Sequence, residues 1–168
     1  MNRWHAISLI LIGISILSLN VLYWTHERTS PSTDVSLPET LGDHPLVYAV
    51  YGQEAIDQVS QLHGKGFPLT SGAVGSYGNQ NDLTAWIANA ESSSAASELV
   101  AAMELKISQN STPFETLGKF NKSGTTIFEL VGMGQRHFYF QVGSLVIWIA
   151  AEPTIAGQAL SDMLEAYQ

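Results

Sequence analysis

The sequence predicts an α+β fold, a two-layer sandwich of a mainly antiparallel sheet with helices on one face, preceded by one transmembrane helix. Three observations lead there. One uncharged apolar run stands near the N-terminus. After it, the apolar residues switch repeatedly between the period of two expected of strands and the 3.6 expected of helices. Several of the strand-like runs are separated only by short turn-forming clusters, which makes them antiparallel neighbours in a sheet with helices packed against it.

The apolar run covers residues 6–24 and has no charge, its polar residues being Ser8, Ser15, Ser18 and Asn20. As a helix it would be about 28 Å long, close to the ~30 Å of a bilayer's hydrocarbon layer. Trp4 stands at one end and Tyr23 with Trp24 at the other, where aromatic rings settle at membrane interfaces. A cleaved signal peptide would have a shorter apolar core followed by a small-x-small site, and Asn20-Val21-Leu22-Tyr23-Trp24 offers none. The run is therefore read as an uncleaved signal-anchor. Arg3 places residues 1–5 in the cytoplasm by the positive-inside tendency and exports the remainder. The expected product is a single-pass membrane protein with an extracytoplasmic C-terminal domain.

Residues 25–43 are rich in Ser, Thr and Pro and read as a tether, so the domain is expected over residues 44–168. Residues 46–51 alternate as a first strand. Residues 53–63 put Ile56 and Val59 on one helical stripe that ends before Gly64. Strands at 71–77 and 83–88 flank Gly78-Asn79-Gln80-Asn81-Asp82, a hairpin cluster. Ser92-Ser93-Ser94 supplies N-cap candidates for a helix reaching Gln109, with Ala96, Val100, Met103 and Ile107 on its apolar face. A possible strand at 114–120 precedes strands at 125–131, 137–142 and 145–150. Pro153-Thr154 then opens a last helix whose face carries Ala156, Leu160, Met163 and Tyr167.

From Val35 onward thirteen acids stand against five scattered bases, the whole of the net charge of −8. Such a surface repels phosphate, so nucleic acid is not an expected partner. The absence of cysteine removes disulfides, thiolate metal sites and cysteine catalysis. Gly75-Ser76-Tyr77-Gly78 lacks the first glycine of a nucleophile elbow, because Val74 stands there. Gly132-Met133-Gly134-Gln135-Arg136-His137 starts like a dinucleotide loop but ends in histidine and lies between two strands, so it reads as a hairpin turn.

In the strand after that turn, Phe138 and Phe140 mark the core face, which puts His137, Tyr139 and Gln141 on the other side beside Trp148. These four are the candidate binding residues, on a face expected to be solvated. The alternative is a metal- or haem-handling site built from His63, His137 and Met133, although no pair falls at a known ligand spacing. No cofactor is otherwise implied. His44 is expected to be exposed at the start of the domain. In layout the chain resembles small membrane-tethered extracytoplasmic domains of prokaryotes, a likeness that carries no activity. The function expected is that of a binding or accessory domain acting on another membrane or envelope protein, or on a small ligand.

Overall fold

The computed structural model describes residues 35–63, 68–79, 82–109 and 112–167. The expected anchor (6–24), residues 1–5 before it and the first part of the expected tether lie outside the described residues. Among the described residues, no helix is long and apolar enough to cross a membrane.

The described chain forms eight strands and three helices: β1 Thr40–Leu41, β2 His44–Tyr51, α1 Gly52–His63, β3 Leu69–Tyr77, β4 Leu83–Ala90, α2 Ser93–Ser108, β5 Glu115–Lys122, β6 Thr125–Gly132, β7 Gln135–Val142, β8 Leu145–Ala151 and α3 Ala156–Tyr167. All pairings are antiparallel, in the order β1-β2-β3-β4-β8-β7-β6-β5. The chain builds one half of the sheet as far as β4. It then crosses to the far edge through α2 and returns strand by strand, so that β8 closes against β4.

Turn chemistry sets this register. The turns β1–β2, β5–β6 and β6–β7 each have two central residues at positive φ: Gly42 (60°) with Asp43 (62°), Ser123 (51°) with Gly124 (82°), and Met133 (51°) with Gly134 (80°). That is the backbone sense of a type I′ hairpin, whose twist matches the strands it joins. Ser92 caps α2 by accepting from the Ala95 N–H at 3.1 Å, an interaction worth ~1 kcal/mol.

Alternation along the strands divides the sheet into two apolar faces. On one, Ile87, Ile127, Phe138, Phe140, Ile147 and Ile149 are buried with Ala156, Leu160 and Met163 of α3. On the other, Leu130, Tyr139 and Val146 are buried with Ala96, Val100 and Ile107 of α2. Val50 and Val74 lie on this second side with Ala55 and Val59 of α1. The helices therefore cover both faces. The expected helices on one face, a two-layer sandwich, are replaced by three layers, because helical amphipathicity shows that a face is buried without showing against which side of the sheet.

The domain also begins earlier than position 44. Val35 and Leu41 are fully buried and Leu37 nearly so, in the α3-side core. Leu37 lies over Gly75, where a Cβ would come within 2.8 Å of it. Residues 35–43 are part of the fold rather than tether. Their three apolar side chains are spaced among Ser, Pro and Gly, which masks any period in the sequence.

Candidate functional site

A single cross-strand row organises the α2-side face. Lys119, Phe128, Tyr139, Trp148, Trp86, Val74 and Val50 are successive partners across β5, β6, β7, β8, β4, β3 and β2. Partners directly opposite on one face are in contact distance. In the row's centre Phe128 stacks on Tyr139 (centroids 4.6 Å apart, planes 8°) and Tyr139 on Trp148 (5.3 Å, 11°). Phe114, from the loop before β5, closes the end of this cluster against His137 at 4.8 Å and Trp148 at 5.2 Å. Gly132 makes room for it: a Cβ there would meet the Phe114 ring at 2.6 Å.

His137 is the polar centre of this layer and is 2% exposed. The Trp148 indole N–H donates to His137 Nδ1 at 3.1 Å. An indole nitrogen only donates, so Nδ1 is the acceptor and the ring's proton sits on Nε2. Nε2 then donates to the Gly132 carbonyl at 3.1 Å. Burial lowers the His137 pKa, the Gly132 bond opposing it, and the imidazole is held neutral. Both ring nitrogens are committed to the fold.

Gln141 is equally committed. Its amide donates to the Ser93 carbonyl and Gly143 carbonyl, both at 2.8 Å, and its oxygen accepts from the Ser97 hydroxyl at 2.9 Å. It fastens the first turn of α2 to the end of β7. The expected row of His137, Tyr139 and Gln141 is thus real and shares a face with Trp148, but that face is not solvated: α2 covers it. A polar residue signals exposure only when no partner is waiting inside.

Tyr139 differs from its neighbours. It is 1% exposed, and its ring is stacked on both sides, between Phe128 and Trp148. Burial raises its pKa and the Glu104 carboxylate raises it further, so the phenol stays protonated. The side chain forms part of a cleft of about 190 Å³ between α2 and β5. Phe128, Leu130, Tyr139 and Ile107 give the cleft an apolar floor. At its rim Lys119 Nζ reaches Glu104 at 3.0 Å and stands 5.4 Å from the Phe128 ring centroid. Sequence reasoning named Tyr139 but missed Glu104, Lys119 and Phe128. Strand pairing brings them together, and no local spacing shows it.

The other candidates do not join this cluster. Met133 is 70% exposed at the tip of the β6–β7 turn. The backbone of His63 ends α1, and its side chain lies outside the described residues. Among the described residues no three His, Asp or Glu side chains are grouped to hold a metal ion. His44 is not free in solvent either. Its Nδ1 lies 2.7 Å from the Gly42 carbonyl and its Nε2 3.6 Å from Asp82, and it packs where Gly78 leaves space. The chain matches no protein-family model, no curated protein and no solved structure.

Proposed function

We propose that this chain is a binding or accessory domain, held on the outer face of a membrane by the helix at residues 6–24, which grips a compact apolar group in the cleft over Tyr139. The observation that carries the reading is the cleft itself: an apolar floor of Ile107, Phe128, Leu130 and Tyr139 opening between α2 and β5, with the Lys119–Glu104 pair at its rim. Apolar surface of this kind is stabilised when an apolar group displaces water from it. The same layer argues for holding rather than turnover, since His137 and Gln141 spend their polar atoms on the fold. At about 190 Å³ the cleft is smaller than the ~300–1,000 Å³ of drug-sized pockets. It suits a single ring or one side chain presented by an envelope partner.

p-Cresol, the side chain of tyrosine as a free molecule, tests this. Millimolar p-cresol is expected to shift the NMR signals of Ile107, Leu130 and Phe128 saturably, and Thr116→Trp, which plugs the cleft, is expected to abolish the shifts. Shifts that persist in the plugged variant, or none in the parent, remove the cleft from the reading. The topology has its own test. Alkaline phosphatase fused after Gln168 is expected to be active in intact cells, and an inactive fusion places the domain on the other side.

A further inference from the structure

The two edges of the sheet are built differently. The β5 edge carries Glu115, Lys119 and Lys122 and is interrupted by a bulge at 116–118, where Gly118 has φ 148°. Charges and bulges are the devices by which proteins prevent strands from adding to an edge. The β2 edge has a bulge between Leu46 and Tyr48, but its strand His-Pro-Leu-Val-Tyr-Ala-Val-Tyr contains no carboxylate, lysine or arginine. β1 covers only its first residues, through pairs at His44 and Pro45, and the Leu46 N–H donates to the Glu39 carbonyl at 2.8 Å. Beyond Leu46 no strand among the described residues lies outside β2. There Val47, Tyr48 and Tyr51 are 58%, 56% and 42% exposed.

Among the described residues, the charged side chains flanking this edge are acidic. Glu39 and Asp43 stand exposed by its start, and Glu54 and Asp57 stand exposed on α1, just past its end. Residues 35–63 contain no lysine or arginine. An acidic molecule with an uncharged strand edge between acidic ends repels a second copy of itself and attracts a basic chain.

We propose that the outer edge of residues 47–51 receives an extended segment of a partner protein by β-strand addition, the segment being apolar at its centre and basic at both ends. Main-chain hydrogen bonds to β2 supply the affinity. Contacts with Val47, Tyr48 and Tyr51 select the apolar centre, and the flanking acids set the ends. This surface is separate from the cleft over Tyr139, and each can fail without the other.

The test uses the full chain in phosphatidylcholine nanodiscs and the synthetic peptide Lys-Lys-Val-Thr-Val-Thr-Val-Lys-Lys. Saturable binding is expected, with slowed amide exchange in residues 47–51. A peptide N-methylated at alternate central residues is expected to bind at least ~10-fold more weakly, because it cannot complete the ladder. Glutamates in place of the terminal lysines are expected to abolish binding. The double variant Val47→Lys, Tyr48→Lys, with an unchanged urea midpoint, is expected to lose the peptide. Three results overturn the proposal: binding indifferent to N-methylation, exchange protection on β5 instead of β2, or Val47→Cys chains that cross-link to each other without peptide, which makes the occupant a second copy.

Discussion

The two faces of the sheet are buried to a similar degree by different means. The α3-side core is aliphatic and aromatic with one buried polar pairing, the Tyr77 hydroxyl donating to the Pro38 carbonyl at 3.1 Å, and Phe140, Ile147, Ile149 and Met163 are fully buried in it. The α2-side core is a stacked aromatic row threaded by His137, Gln141 and the Trp148 indole, each hydrogen-bonded. Apolar burial is non-directional, and a core made of it tolerates adjustment. A core made of paired polar groups depends on each partner being in place, since an orphaned group keeps its full desolvation cost. Truncation on the α3 side should therefore cost in proportion to volume removed, whereas truncation on the α2 side should depend on which partner is left behind.

Phe140→Ala is the largest expected loss, about 3–5 kcal/mol in urea unfolding of the domain. A loss below about 1 kcal/mol would mean that α3 collapses into the space and that the face is softer than its burial indicates. On the other side Trp148→Phe keeps most of the ring and removes the donor to His137 Nδ1. The expected loss is about 1–3 kcal/mol, the range for a buried group left unpaired. Adding His137→Phe removes the orphan, so the double variant should be less destabilised than the two single losses added together. Strict additivity would show that the bond contributes nothing beyond packing.

The sequence was a good guide to one face and a poor guide to the other. Strand positions, the cap at Ser92 and the apolar faces of α2 and α3 follow from local period and turn residues, which neighbouring side chains alone determine. The core role of Phe138 and Phe140 was readable for the same reason. On the sequence alone His137 and Gln141 read as solvent-facing, because their partners, the Gly132 carbonyl and the first turn of α2, become neighbours only on folding. The cleft was hidden more deeply still: Glu104, Lys119, Phe128 and Tyr139 come from four elements and meet through sheet order. The packing of residues 35–43 leaves no local signal, because three apolar side chains among Ser, Pro and Gly make no recognisable period.

A smaller effect separates anchoring from packing on the α2 side. Gln141 is half-buried and holds Ser93 and Ser97 of α2. Gln141→Ala is expected to cost about 0.5–1.5 kcal/mol, the net worth of a typical hydrogen bond. Hydrogen exchange is expected to quicken in the first turn of α2 and to stay unchanged near Ile107. Faster exchange along the whole helix would mean that Gln141 supports the aromatic layer itself, and the distinction between clamp and core would disappear.

The smallest expected effect is a slope rather than a loss, and only the α2 side should show it. His137 has its pKa lowered below the ordinary 6.5 by burial. As pH falls, the unfolded chain takes up this proton before the folded chain does. Stability then rises with pH across the interval between the two values. The contribution is complete above pH 6.5, is lost as pH falls below that value, and levels off once the folded histidine also titrates. His137→Phe keeps a ring against Phe114 and removes the proton site. Urea midpoints measured from pH 7.5 to 5 should fall more steeply in the parent than in this variant. His44 and its contact with Asp82 are present in both proteins, so the difference between the two slopes belongs to His137 alone. Equal slopes would mean that the imidazole accepts a proton in place, with the Trp148 bond broken at little cost, and the polar pairing of this face would then be a weaker constraint than its geometry implies.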